Sequence, residues 1–490
     1  MRSKRKEKKE RRKATMLAIV YAVVVALFFV TVFRLNVLPM TYFLVLFVAV
    51  MAISVPVVLS LLKTKYSKKE GSEGKPKMHW ASSTIAILMI IVLGLGTFYM
   101  GGTIDFFKNI SGGIQIHNFY LVVNEDSEYQ KVKDIDGLAV GLMELEDESY
   151  VSAQEKVLKK ADVTFETYGT YDELASALIY GEYEAILMNS SYYEMAVEEV
   201  EGFDQDTTRI LEEYYIVVET EITSKPVDVV DDAFNVYISG IDTSGSIGNT
   251  SRTDVNMIMT VNPNTKTILL TSIPRDYYVE LGTIGAMDKL THSGLYGIDE
   301  TTTTIEKLFG IEINYYARVN FTTVVNLVES LGGITVDSDY SFNAKGRDGT
   351  VYSFNAGENY LNGEQALAFA RERKSFSGGD NQRVKNQQAV ITGIINKATG
   401  STAVLTRYNS ILNSLEDNFQ TNLSQKDITS LVKDQLKDMS GWTIKQQSVK
   451  GSGSMTPVYS IPHLNVYVMV PNQESVTAAA NEIMAVMGEE

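Results

Sequence analysis

Apolar residues fall into two regimes along this chain. In the first hundred positions they form three near-continuous runs, at 15–33, 41–62 and 81–100. Each is close to the ~20 residues a helix needs to cross a bilayer, so the pattern predicts three membrane spans. The first run is too long, and lacks the small-residue cleavage pattern, for a removable signal peptide. Beyond about residue 102 the runs shorten and alternate between strand and helix periods. Residues 103–118, with paired glycines, read as a linker. Residues 119–222 then predict strands at 119–123, at the end of 132–142, at 163–168 and at 184–188, with helices at 150–160 and 171–180. Alternation of this kind predicts a small layered α/β domain with a partly parallel sheet, serving as an interaction or spacer module. It is loosely similar to one lobe of a solute-binding protein.

Residues 223–233 read as a second linker, and a larger α/β domain occupies 234–490. A strand at 235–239 is followed by a hairpin of two apolar runs, 255–262 and 266–273, around the turn Pro263-Asn-Thr265. Helix 301–309, strand 311–319 and helix 321–331 come next, the last closed by Gly332-Gly333 as a left-handed stop. A strand at 334–336, helices at 363–372, 381–398, 403–415 and 425–438, and final strands with a terminal helix complete the pattern. The expected whole is α/β: a membrane anchor (15–102) behind a short basic tail (1–14), a small accessory sheet, and a larger α/β/α layered domain with a central mixed sheet.

Charge adds an orientation. Residues 1–102 hold 16 Lys/Arg against 4 Asp/Glu, and the remainder holds 28 against 56. Nine of the basic residues lie in 2–13 and six lysines in the loop 63–79, whereas the loop 34–40 has one arginine. The positive-inside rule then puts the amino terminus and loop 63–79 in the cytoplasm, and everything after about 102 outside. The basic tail suits anionic lipid headgroups, while the acidic outer part repels nucleic acid. With no cysteine, disulfides and thiolate metal sites are excluded. The four histidines, His79, His117, His292 and His463, make no zinc pattern.

Against this acidic background three arginines, Arg371, Arg373 and Arg383, fall within thirteen residues. Guanidinium forks suit phosphate oxygens, and Arg383 with Gln387 shares one face near a helix amino end, where anions are favoured. Surface pairing with Glu372 or Asp380 is the alternative. Arg371 and Arg373 can share a ligand only if the helix ends between or just after them. Asp242 follows the first strand and Asp254 precedes the next, a pair able to hold a hard divalent ion or simply to cap turns. Arg275 follows the strand ending at Ile273. Lys289 and His292 add cationic or acid/base groups, although a lone histidine such as His292 is more often structural. No Walker A or kinase signature is present.

Taken together, Asn235-Val-Tyr-Ile-Ser-Gly-Ile-Asp242, Ser251-Arg-Thr-Asp254, Ile273-Pro-Arg-Asp276, Asp288-Lys-Leu-Thr-His292, Ala370-Arg-Glu-Arg373 and Asp380-Asn-Gln-Arg383 with Asn386-Gln387 resemble the LytR–CpsA–Psr family of cell-envelope proteins. The three spans and extra outer domain resemble its capsule-associated streptococcal branch. Thr253 stands where the family often has serine. The resemblance implies an extracellular, membrane-anchored phosphotransferase that moves a glycopolymer, here capsular polysaccharide, from an undecaprenyl-pyrophosphate carrier to peptidoglycan. It implies Mg²⁺ or Mn²⁺ on Asp242 and Asp254. Arg252, Arg275, Lys289, Arg371, Arg373, Arg383 and Gln387 would bind the pyrophosphate, and Asp254, Arg275, Arg371 and Arg373 would form the catalytic set. An apolar cleft between sheet and helices would take the lipid. Implied partners are the lipid-linked glycan, peptidoglycan, membrane lipids and capsule or wall assembly proteins. The competing reading is a membrane regulator of polymer synthesis with no chemistry of its own.

Overall fold

In a computed structural model of the chain, residues 2–35, 38–63, 80–110, 114–144, 147–219, 225–241, 247, 250–376, 379–400, 407–415 and 418–489 are described. They fall into two compact units. One comprises the chain up to Asn109 with 408–413 and 424–440; the other comprises 110–407, 414–423 and 441–490.

The first unit contains α1 (Arg2–Leu35), α2 (Met40–Leu62) and α3 (Trp80–Ile110). Segments Arg11–Leu35, Met40–Leu62 and Trp80–Phe98 are long and apolar enough to cross a membrane. Their outward faces are apolar, with Met16, Phe33, Val45 and Phe98 all exposed. Lipid supplies no hydrophobic drive between helices, so small and hydroxyl residues mark the contacts. Tyr21 Oη meets Ser54 Oγ at 2.7 Å, and Ser82 Oγ donates to Ser60 Oγ at 2.8 Å.

The second unit holds two larger sheets. The accessory sheet has β1 (Ile114–Asn124), β2 (Ala139–Met143), β3 (Thr164–Tyr168), β4 (Ala185–Asn189) and β5 (Thr208–Glu219), in the order β3-β2-β4-β1-β5. The pairs β2–β3 and β2–β4 are parallel, and β1 runs against both its neighbours. Helices α4 (Glu148–Leu158), α5 (Tyr171–Ile179) and α6 (Ser190–Glu199) pack with it. Of the stretch 103–118, expected as a linker, the described residues are helix up to Ile110, the end of α3, and strand from Ile114, the start of β1. Apolar and polar residues alternate through 114–124, and pairing with β5 extends the strand to Ile114.

The central sheet contains β6 (Phe234–Gly240), β7 (Val255–Asn262), β8 (Thr267–Ile273), β11 (Tyr315–Val319), β16 (Phe419–Thr421) and β17 (Thr443–Ser448), in the order β16-β11-β6-β7-β8-β17. It is mixed, as expected: β11–β6 and β8–β17 are parallel, and the other neighbours are antiparallel. On one face Tyr237, Ile258, Leu269 and Tyr316 form a core with α7 (Ile298–Phe309) and α11 (Gln473–Met487). On the other lies α10 (Asp380–Thr399), where buried Gln388 donates to Ser272 Oγ and to the carbonyls of Leu270 and Gln447. Helix α8 (Phe321–Leu331) stops at Gly332, in the left-handed region at φ 79°.

The short ladder β9 (Tyr278–Glu280) with β10 (Met287–Lys289) follows the central hairpin. Next come β12 (Ile334–Ser338) with β15 (Gly357–Leu361), and β13 (Phe342–Lys345) with β14 (Val351–Phe354). A closing hairpin joins β18 (Gly451–Val458) to β19 (Ile461–Pro471). This last hairpin crosses the expected domain division. Its Val458, Ile461, Val466 and Val468 are buried in the same core as Phe119, Leu121, Leu174 and Met188 of the accessory sheet. The accessory sheet is therefore part of one packed body with the central sheet.

Ile461 is fully buried. Ile461→Ala is expected to cost about 2–5 kcal/mol. Thermal unfolding of the full chain checks the cost, and hydrogen exchange at β1 should accelerate although Ile461 lies far from β1 in sequence.

Candidate functional site

The site is built on one edge of the central sheet. Strands β6, β8, β11 and β17 all run the same way, so their carboxyl ends share an edge with the start of β7. Gly240 pairs with Val255 and with Val319, Asn256 with Ile273, and Ser272 with Ser448. Ligands of α/β sheets bind at such carboxyl edges. The segment leading into β7 is fixed there by its backbone, with Asp254 N–H donating to Gly240 O at 2.8 Å and Thr253 N–H to Thr291 O at 3.0 Å. The threonine at 253 fits: its hydroxyl meets Tyr237 Oη at 2.9 Å and Asn256 Oδ1 at 3.0 Å, all buried.

Asp254 and Arg275 are in direct contact, with Nη1 donating to Oδ1 at 2.6 Å. Burial works against the Arg275 charge, but the field and hydrogen bond of Asp254 outweigh it and the guanidinium is held above its ordinary value. Arg252 points to α6 of the accessory sheet. Its two Nη groups donate to Glu198 Oε2 and Oε1 at 2.6 and 3.0 Å, a bidentate pair. Burial opposes the Arg252 charge too, and Glu198 more than restores it. In return the hydrogen bond from Arg252 pulls Glu198 below the usual glutamate value, against its partial burial. Arg252, Asp254, Arg275, Glu194, Glu198, Tyr193, Gln205 and Ser251 line one cavity of about 320 Å³. Glu198 carries no local sequence signal toward Arg252; the only trace is the i, i+4 spacing of Glu194 and Glu198.

The other arginines reach the same edge by a different route. Helix α9 (Gly363–Arg371) begins with a capping box, Asn362 with Gln365. It is pinned by fully buried Phe369, which packs against Phe342 and Phe354. It ends at Arg371, and Glu372 is extended at ψ 129°, so the break falls between Arg371 and Arg373 as a shared ligand requires. The Arg371 guanidinium lies over the Phe321 ring, 4.2 Å from its centroid, at the residue that follows β11 and Asn320. Glu372 accepts from Ser375 N–H at 2.8 Å. Arg373 is exposed and makes no ion pair with any described residue.

Along α10, Thr392 meets Gln446 and Gln388 meets Gln447, so the helix runs against β17. Its amino-terminal turns, with Arg383 and Gln387, point toward the carboxyl edge. Arg383 pairs with Asp380 at 2.5 Å, as the surface alternative foresaw. Its Nε is buried and has no hydrogen-bond partner among the described residues. The structure thus brings Asp254, Arg275 and Arg252 into one cavity. It sets Arg371, Arg373, Arg383 and Gln387 on elements that end at the same edge, with no direct contact between the two groups among the described residues.

Lys289 is buried and faces Glu199 of α6 at 4.0 Å. Neighbouring Asp288 is fully buried, accepting from Lys289 N–H, Ser460 N–H and Ser460 Oγ, and His292 Nδ1 meets it at 2.8 Å. His292 is accordingly a structural residue that ties this turn to the β18–β19 hairpin. Asp242 lies outside the described residues, and these contain no cluster of three or more metal-type ligands. Asp254 Oδ2 accepts no hydrogen bond from a described residue, and Asp242 follows the Gly240 carbonyl to which Asp254 is bonded. A carboxylate oxygen that no described residue occupies is the hard oxygen type of ligand that a divalent ion takes.

Two further surfaces adjoin this edge. On the α10 face of the sheet, Ile238, Val255, Met259, Ala317 and Val319 remain only half-buried, an apolar strip in an otherwise closed layer. A polar groove of about 890 Å³ follows one stripe of α10 between β12 and β17.

The sequence matches the model of the LytR_cpsA_psr family over residues 189–482, a match that begins inside the accessory sheet. Among curated proteins it is 38% identical over 224 residues to the polyisoprenyl-teichoic acid–peptidoglycan teichoic acid transferase TagU of Bacillus licheniformis, covering 46% of this chain and 70% of that one. It is 33% identical over 253 residues to the same-named protein of Enterococcus faecalis, covering 51% and 80%. The crystal structure of B. subtilis TagU aligns at 33% identity and a TM-score of 0.41, over 53% of this chain and 98% of that one.

The depressed Glu198 carboxyl has a pH signature. Its ion pair is complete above the ordinary glutamate value and is lost only as pH falls through the lower folded value. A carboxyl-carbon NMR titration should place the Glu198 midpoint below 4.5, and Arg252→Ala should raise it.

Proposed function

Because the chain belongs to the LytR-CpsA-Psr family, we propose that it is a membrane-anchored phosphotransferase moving a glycopolymer from a polyprenyl-pyrophosphate carrier to peptidoglycan. The observation that carries this reading is the shared carboxyl edge. Asp254 with Arg275, and the helix ends bearing Arg371 and Arg383, border a sheet face whose apolar residues stay half-buried. Such an edge suits a ligand with a polyanionic centre and an apolar tail.

In the proposed step an acceptor hydroxyl oxygen bonds to the sugar-linked phosphorus. The bridging P–O bond breaks, its electron pair leaves with the polyprenyl phosphate, and the hydroxyl proton is released. Arg252, Arg275, Arg371, Arg373 and Arg383 would neutralise charge on the non-bridging and leaving oxygens, with Gln387 and Lys289 beside them. Asp242 and Asp254 would hold Mg²⁺ or Mn²⁺, which when bound would supply Lewis-acid stabilisation of the pyrophosphate. The half-buried strip at Ile238, Val255, Met259, Ala317 and Val319 would take the first isoprene units. Three apolar helices tether the site to the membrane that confines such a carrier, and loop charges favour the amino terminus inside and the site outside.

For the polymer we propose capsular polysaccharide, on the strength of the three spans and the accessory sheet. The names of the relatives favour teichoic acid as the second candidate. Rates with the two lipid-linked donors decide between them.

Purified full-length protein in nanodiscs should transfer a lipid-linked glycan to peptidoglycan. Arg373→Ala should lower kcat/KM by about 10²-fold or more, the scale of losing one oxyanion donor, with the unfolding midpoint unchanged because the side chain is exposed. Chelation should stop turnover and Mg²⁺ or Mn²⁺ should restore it. Full activity in Arg373→Ala and Asp254→Ala would instead favour the regulator reading.

A further inference from the structure

Of the elements at the carboxyl edge, the accessory sheet is the one with no assigned part in the reaction. Three of its contacts meet at one residue, Thr250. Thr250, just ahead of Ser251-Arg252, donates its N–H to Ile116 O of β1 at 3.1 Å and accepts from Ser191 Oγ of α6 at 2.7 Å. Its hydroxyl meets His117 Nδ1 at 3.3 Å. On the opposite side, Gly294 lies so close to Ser251 O that a Cβ there would sit 2.5 Å from it. The backbone carrying Arg252 is thus gripped between the accessory sheet and the turn at 290–296.

The side chain is gripped as well. Glu198 takes one N–H from each Nη of Arg252, two of the five donors of a guanidinium. No described residue takes the remaining three, and Arg252 lines the cavity shared with Asp254 and Arg275. Ser251 Oγ, in the same lining, is buried with no hydrogen-bond partner among the described residues. One helical position on, Glu199 faces Lys289. A carboxylate that binds one edge of a guanidinium fork fixes its plane and leaves the other edge to a ligand, which lowers the ordering cost of binding.

We propose that Glu198, on the accessory helix α6, is a positioning residue of the transfer site. It holds Arg252 end-on so that the free edge of the guanidinium meets the pyrophosphate of the lipid-linked donor. The accessory sheet is then a working wall of the phosphate site, and donor affinity depends on it. This assignment rests on the transferase reading above.

The test uses the full chain in nanodiscs with a synthetic polyprenyl-pyrophosphate disaccharide as donor, and reads KM, kcat and the Kd of the donor alone. Glu198 is more than half exposed as a side chain, so Glu198→Ala should leave the unfolding midpoint within a few degrees. KM and Kd should rise about tenfold, the scale of one charge-assisted contact, while kcat changes little. Glu198→Gln, which keeps one acceptor, should fall between. In an Arg252→Ala background Glu198→Ala should add nothing, because the effect passes through that guanidinium. Unchanged or lowered KM and Kd in Glu198→Ala overturn the proposal; lowered values would mean that the carboxylate competes with the donor. An additive effect on top of Arg252→Ala overturns it too. If the wild type binds the donor but transfers nothing, the transferase reading fails and Kd alone decides this one. If it does not bind the donor, both fall.

Discussion

Arg252 and Arg275 lie near enough at the carboxyl edge of the central sheet for the charge of one to weigh against the other, and both are largely withdrawn from water. Two partly buried like charges would not be tolerated alone. Asp254 and Glu198 make them stable, each by a short ion pair, one from the segment leading into β7 and the other from α6 of the accessory layer. Much of the surrounding architecture follows from that need. The segment 250–254 must be held on both sides, α6 must dock beside β7, and the hairpin 451–471 must seal the accessory core against the central sheet.

The same arrangement explains why the arginines approach from two directions. One group sits on the strand ends themselves, where backbone bonds to Gly240 and Thr291 allow little movement. The other sits on the end of α9 and the start of α10, where Arg373 is exposed and Arg383 is held by a side-chain pair that an anion can replace. A rigid half and an adjustable half suit a ligand whose head is small and whose attached polymer is large.

The central sheet was legible because its strands are short apolar runs bounded by Pro263-Asn-Thr265, Gly240 and Gly332-Gly333, signals that act locally. The break after Arg371 was only a condition in the sequence: on one helix the spacing of Arg371 and Arg373 excludes a common ligand, and the structure supplies the helix end between them. Helix α6 and strand β5 were not read. Their sequence is rich in Glu and Tyr, and its alternation shows only once β1 is known to pair with it, burying Tyr214 and Ile216. The partnership of Glu198 with Arg252, and of Val468 with Leu121, joins residues far apart in the chain. Such pairs leave no periodic trace, so neither the accessory wall of the site nor the shared core could be read from spacing. The expected linker at 103–118 failed for the opposite reason: glycines looked like punctuation, yet Gly101 and Gly102 lie inside α3.

The hairpin at 451–471 also sets a schedule. Phe119 and Leu121 leave the ribosome about 350 residues before Val466 and Val468, side chains that share their core. Until then the accessory sheet lacks a wall, and an unfinished sheet with open apolar surface is prone to misassembly. Contacts of such sequence separation form slowly. The accessory core therefore needs the hairpin at 451–471 to close: a truncation near residue 450 would leave the strands of both sheets intact in sequence and would still leave the first of them half-built.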